Sequence, residues 1–294
     1  MAVNRARGGD VHFYLFSEPD RQLGGLRLNP SVTEKNFLSI LDILIVASGP
    51  YRVTLRSTGV DLMRTENALQ PGQYDIRPHS RRDTITITDE LCITRILSKT
   101  KTGRDETFRR RVRERDGKCV ITGVVNTGVR VDDWTGFDAA HIFPLSSEDY
   151  WLQSGFSRWI TNGKDERDTG INSGQNGLLM QSSIHQKFDG FHFSVNPDDG
   201  YKITCFDTDP FSIDGRIIDP ICRDPNSEDS TRNELLRWHF RQTVLANMKG
   251  AGEPSFEMDF PPGSDMMGEI LSGPESGKRM EAELFSRLNG ISFV

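Results

Sequence analysis

The sequence predicts an α+β fold: a small α+β region first, a strand–loop–strand–helix module at the centre, and a helical extension last. Three observations predict it. Short runs before residue 95 alternate apolar and polar residues, as half-buried strands do, around one apolar helical segment. Asp138 to Phe193 holds two short apolar runs followed by a helical segment. From Thr231 to Met248, Leu235, Leu236, Trp238, His239, Val244 and Leu245 recur at mostly helical spacing.

The elements follow in order. Residues 1–9 are rich in Arg and Gly and are expected to be disordered. Residues 10–99 are expected to form the small α+β domain. Within it, Val11 to Phe16 reads as a strand and Gly24-Gly25-Leu26 as a turn. Ser31-Val32-Thr33-Glu34 carries an N-cap signal for an apolar helix from Asn36 to Ala47. Tyr51 to Leu55, Gln73 to Ile76 and Thr84 to Ile87 read as further strands. Nothing in this region carries a chemical signature; it could pack on its neighbour, position a substrate, or join two copies as a homo-oligomer.

A central domain is expected over 100–210. Arg104 to Asp116 reads as a helix stopped by Gly117, and Cys119 to Thr122 as a strand. Residues 145–170 form a long excursion that two tryptophans argue is ordered. Phe191 to Val195 and Tyr201 to Phe206 flank a turn of Asn, Pro, Asp and Gly, the pattern of a hairpin. The extension over 211–294 is loop-like to Asn226. It then has the helix to Met248, an arm from Gly250 to Gly268 and a last short helix within Pro274 to Leu288.

A chain of 294 residues, 35 % hydrophobic and 27 % charged, has the composition of a soluble globular protein large enough for one or two cores. The longest apolar run, Phe37 to Ser48, contains Asp42 and is too short to span a bilayer, and no secretory signal follows Met1. Four cysteines without a C-x-x-C pair suggest reduced thiols and an intracellular, cytoplasmic or nuclear, protein. The net charge of −6 does not favour a nucleic-acid partner. The segment Lys101 to Lys118 departs from that balance, with eight Lys or Arg against four acids. It reads either as a phosphate-contacting helix, with Arg109, Arg110 and Arg113 as the contacts, or as a solvated face.

The chemistry concentrates between Asp138 and Asp189. His141 lies in a short apolar run, Ala139-Ala140-His141-Ile142-Phe143, that reads as a buried strand with one polar side chain. Gly177-Leu178-Leu179-Met180 reads as a second strand. Ser182 or Ser183 can cap a helix on which His185 and Asp189, four residues apart, share a face. A strand histidine, a loop asparagine (Asn176), and a His and carboxylate one helical turn apart suit one divalent metal ion.

Ala139-Ala140-His141-Ile142, Asn176-Gly177-Leu178-Leu179, His185 and Phe188-Asp189 together resemble the His-Asn-His (HNH) nuclease family. The nine-residue step from Asn176 to His185 and the lead-in Cys119-Val120-Ile121-Thr122-Gly123 strengthen the resemblance, which covers about residues 105–206. Trp238-His239-Phe240 adds a likeness to a fungal branch of that family. The resemblance implies a ββα-metal fold for the central domain and a metal-dependent endonuclease that hydrolyses DNA phosphodiester bonds. It implies His141 as the general base and Asn176 as the residue that orients it. It places His185 and Asp189 on the metal, which Mg, Mn, Zn or Ni would all satisfy. Family members often carry Asp or His immediately before the base, where this chain has Ala140; Asp138, two residues earlier on the same strand face, could reach the metal instead. A small-molecule enzyme on the same scaffold, or a catalytically silent binding module, are the alternatives.

Overall fold

The computed structural model describes residues 5, 8–90, 92, 93, 103–162, 169–249, 263, 265–272, 277 and 280. The expectations for most of 1–9, for the arm from Gly250 to Gly268 and for a helix within Pro274 to Leu288 fall almost wholly outside them.

Alternation and one capped helix build the N-terminal region. Strands β1 (Val11–Leu15), β2 (Glu18–Leu26), β4 (Tyr51–Leu55), β5 (Val60–Asp61) and β6 (Gly72–Pro78) form a sheet in the order β2-β1-β6-β4-β5, in which only β1 and β6 pair in parallel. Helix α1 (Glu34–Leu44) starts at Thr33, whose hydroxyl accepts from Asn36 N while the Asn36 side chain accepts from Thr33 N. It stops at Leu44, and the Ile45–Ala47 end of the expected helix is a short strand, β3, paired with β7 (Ile85–Ile87). Three successive residues with β-branching or short side chains end the helix where a partner strand is available.

Gly24 and Gly25 are not in a turn but inside β2. A Cβ on Gly24 would lie 2.0 Å from the Met248 carbonyl oxygen and 2.4 Å from the Phe13 ring. The glycine is there because another backbone crosses it, a reason no local reading contains.

Helix α2 (Gly103–Asp116) ends at Gly117, whose φ of +60° is the left-handed conformation that terminates helices. Cys119 to Thr122, expected as a strand, is a turn: Gly123 N donates to Cys119 O at 2.8 Å and Thr122 N lies 3.4 Å from Cys119 Sγ. Cys119, Val120 and Ile121 are all buried by it, and a short run with every side chain inside has no period that tells strand from turn. The long excursion holds α3 (Glu148–Gln153) and a cluster in which Phe143 meets Trp151, Phe156 and Trp238.

Strand β8 (Phe137–His141) pairs antiparallel with β9 (Gly177–Gln181), and α4 (Ser182–Asp189) follows directly. Strands β10 (Phe193–Asn196) and β11 (Lys202–Cys205) form the second hairpin. His192 is partly buried, with Nδ1 3.0 Å from Asp207 Oδ2.

Helix α5 (Asn233–Met248) ties the two halves together. Leu235, Leu236 and Trp238 pack into the core of β8, β9 and α4, with Ala140, Leu178, Met180 and Phe188. Phe240, Val244, Leu245 and Met248 pack into the sheet core with Phe13, Phe37 and Tyr74. Each fully buried aromatic or aliphatic side chain is worth about 1.5–3 kcal/mol of transfer free energy, so one helix stabilises both cores. His239, fully buried, lies face to face with Phe188 at 3.7 Å and 2.7 Å from Ser194 Oγ. Helix α6 (Met266–Ser272) completes the described elements. No helix among the described residues is long and apolar enough to cross a membrane.

Asp207 is also within 3.8 Å of Lys187 Nζ and 3.7 Å of Arg27 Nε, so it joins α4, β10 and the sheet region. The hydrogen bond with His192 holds its carboxyl well below the usual carboxylate range. A depressed folded pKa contributes stability above the unfolded value, about 3.9, and loses it as pH falls further. Asp207→Asn is expected to flatten the loss of stability below about pH 4; urea titrations at a series of pH values that superimpose for both proteins would reject this.

Candidate active site

The β8–β9 hairpin sorts the site residues by face. His141 pairs with Gly177, Ala140 with Leu178, Ala139 with Leu179 and Asp138 with Met180. Ala139 and Leu179 pack against Phe108 and Val112 of α2. Ala140, Leu178 and Met180 pack on the other side, against Ile184 and Phe188 of α4. Alternation therefore puts His141 on the α2 face and Asp138 on the α4 face.

On the α2 face, the His141 ring stacks on Phe108 with centroids 3.8 Å apart and planes 10° off parallel. Its Nε2 lies 3.1 Å from Asn172 Oδ1. The helix comes this close because residue 177 is glycine: a Cβ there would sit 2.5 Å from Val112 Cγ2 and 2.6 Å from the Phe108 ring. Gly177→Ala is expected to push α2 off the hairpin and to destabilise by about 1–3 kcal/mol. An unchanged urea midpoint would show that α2 does not bear on the strand.

Asn176 is fully buried and spends its whole amide on backbone. Its Oδ1 accepts from Phe143 N at 2.8 Å, and its Nδ2 donates to Phe143 O at 3.1 Å and Ile171 O at 2.8 Å. It thus fastens the chain two residues past His141 to the loop that carries Asn172.

On the α4 face, His185 Nδ1 lies 3.2 Å from Asp138 Oδ2 and its Nε2 3.1 Å from Asp189 Oδ2. Burial disfavours the imidazolium, but the two carboxylates outweigh it and raise the pKa to about 9. The His185 hydrogen bond in turn holds Asp138 below its ordinary value. Ala140 is fully buried in the core and offers no ligand, whereas Asp138 reaches the site.

Two carboxylates and an imidazole are a donor set that suits divalent cations. Each ring nitrogen is already met by a carboxylate, and among the described residues no group of three or more His, Cys, Asp or Glu is set to hold a metal ion. Asp138, His185 and Asp189 would hold such a cation with the imidazole deprotonated at the liganding nitrogen.

Residues 119–196 match the family model described as HNH endonuclease. The segment is an HNH endonuclease domain. The match places it in a family of nucleases, for which nucleic acid is the substrate, and it contains His141, Asn172, Asn176, His185 and Asp189. A second model, a domain of unknown function (DUF8573), matches residues 8–83, most of the N-terminal sheet and α1. No curated protein and no solved structure matches the chain.

The HNH match begins at Cys119, so it leaves out α2, although Phe108 of that helix is the stacking partner of His141. Arg109 and Arg113 share a flank of α2 beside the Phe108–Val112 stripe, and Arg110 is exposed. Arg109 lies 3.5 Å from Glu106, and the Arg113 guanidinium covers the Trp134 ring at 4.8 Å. The helix that carries all three packs against the β8–β9 hairpin.

Sequence reasoning passed over Arg115, which it counted among the surface charges. Its side chain is buried against Asp116, with Nε 2.6 Å from Oδ1 and Nη2 2.8 Å from Oδ2. It also donates to the carbonyls of Gly174, Gly177 and Asp229, and Asp116 accepts from Leu179 N. The pair clamps both sides of the Asn176 loop. An Arg-Asp dipeptide at a helix end gives no local sign of this. A cavity of about 640 Å³ lies on the far side of that loop, lined by Gln175, Arg223 and Arg232 among others, and includes none of His141, Asn176, His185 or Asp189.

Proposed function

We propose that the chain is a metal-dependent endonuclease that hydrolyses DNA phosphodiester bonds. The observation that carries this reading is the pairing of two sites on one hairpin: His141, held by Phe108 and Asn172, and His185 between Asp138 and Asp189. His141 takes the proton from the attacking water. Asn176 keeps the backbone after His141 in place. Asp138, His185 and Asp189 would hold one divalent ion, whose Lewis acidity would offset charge building on the phosphate. His141 pairs with Gly177 at the end of the hairpin that residues 142–176 join, Asp138 pairs with Met180 toward the other end, and the scissile phosphate would span the two. Arg109, Arg110 and Arg113 on the neighbouring helix contact flanking phosphates, which makes binding fall with salt.

The test is nicking of supercoiled plasmid by the full chain with Mg, Mn, Ni or Zn, beside manganese titration calorimetry of the wild type and His185→Ala. The expected result is cleavage with at least one metal, and a manganese isotherm that His185→Ala abolishes. A second reading, a silent nucleic-acid-binding module, is favoured by one observation: both nitrogens of His185 are engaged by carboxylates. No manganese binding at millimolar concentration together with salt-sensitive DNA binding would establish that reading and reject ours.

A further inference from the structure

We propose that the cavity behind the Asn176 loop is a nucleotide-binding site in which Arg223 and Arg232 hold the phosphate. It shares no residue with the proposed metal site, and it does not rest on the chain being an active nuclease.

The cavity measures about 640 Å³, a size that suits a small molecule of several rings. Among the described residues that line it, only Pro225 carries a wholly apolar side chain. An apolar ligand therefore gains little there, and a polar one finds hydroxyls, amides and two guanidiniums. Part of that wall is committed to the fold. Gln175 accepts from Thr161 N and donates to Thr161 Oγ1 and Glu228 O. Asn162 donates to Asp229 Oδ1 and accepts from Ser173 Oγ.

The guanidiniums are not committed in this way. Arg223 lies over the Tyr201 ring at 4.2 Å, which holds it flat against an aromatic face. Its Nε is shielded from solvent and meets no acceptor among the described residues, and the same holds for Arg232 Nε. Buried N–H groups are almost always paired, so two unmet ones in the wall of one cavity ask for an acceptor. The neighbouring acids do not supply it to Arg223. Glu234 stands 3.8 Å from Arg232, Glu228 is exposed, and Asp219, near enough to feel Arg223, is held by Lys118 at 2.6 Å. A phosphate presents two oxygens at the spacing of a guanidinium fork and answers the charge as well. Asn226, Ser230 and Asn233 line the remaining space and suit the hydroxyls of a sugar and the edge of a base. A free nucleotide and one unit of a polynucleotide offer this same chemistry.

The experiment is titration calorimetry of the full chain in EDTA, where metal-dependent cleavage is off, with adenosine monophosphate and with adenosine. A second arm follows a short labelled DNA duplex by anisotropy at several salt concentrations. For a free-nucleotide site, adenosine monophosphate is expected to bind, adenosine to bind far more weakly, and Arg223→Gln to raise the Kd about 10- to 100-fold. For a polynucleotide subsite, Arg223→Gln is expected to weaken the duplex and to lower its salt slope by about one. Urea midpoints confirm folding, and Arg232→Gln repeats the test if Arg223→Gln unfolds. Adenosine binding as tightly as its monophosphate overturns the phosphate role. Affinities for both the monophosphate and the duplex that neither substitution changes overturn the site. Plasmid cleavage is not a readout, so a failure of the nuclease reading leaves this result standing.

Discussion

His141→Ala should abolish nicking of supercoiled plasmid while leaving the manganese isotherm unchanged. Removal of a general base costs about 10²–10⁴-fold in rate. Metal binding should survive because the side chains are on opposite faces of β8: His141 lies against Phe108 of α2, whereas Asp138, His185 and Asp189 meet on the α4 side. The fold should also survive. His141 is only partly buried, and the Phe108–Val112–Leu179 cluster beneath it stays filled. Unchanged cleavage would remove His141 from the base role, and loss of manganese binding together with cleavage would make it a ligand instead.

Arg115→Ala should be strongly destabilising. The Arg115 and Asp116 side chains are 5 % and 0 % exposed, so the variant leaves a carboxylate in the interior without its counter-charge. Breaking such a pair from one side costs about 3–5 kcal/mol. The carbonyls of Gly174, Gly177 and Asp229 lose their donor in the same step, and two of them bracket Asn176. Urea unfolding should show the loss, and cleavage should fall even where the variant remains folded, because the loop that spaces Asn172 from His141 is released. The exposed Arg110→Ala should leave the urea midpoint within error. Equal stability of Arg115→Ala and wild type would mean that the buried pair contributes nothing net.

Local pattern carried far in some places and stopped in others. His185 and Asp189 stand four apart on a helix, and their 3.1 Å contact is what that spacing places on one face. Asp138 was singled out by strand period alone, and it lies on the α4 side of β8, 3.2 Å from His185. The run Cys119 to Thr122 defeated the same reasoning, because a turn that buries Cys119, Val120 and Ile121 in succession leaves no period. Gly24 reads as a turn residue and is a strand residue under another backbone, and the strand reading of Gly177 gives no sign of the helix that packs on it. The partners of His141 were also out of reach. Phe108 is 33 positions earlier and Asn172 is 31 later, and no periodicity links them.

The sequence by itself determined most of the elements, their order, and which residues with chemistry share an element, because those follow from spacings of two, three or four residues. It also determined the HNH resemblance, since that is a matter of residue identity and interval. Only the tertiary structure decided which face of β8 meets which helix, that Arg115 is interior rather than solvated, and that α5 serves two cores at once. Those outcomes depend on where the chain returns after tens of residues, and that path is set by the summed burial of Phe108, Leu178, Phe188, Leu235 and Val244 rather than by any neighbouring residue.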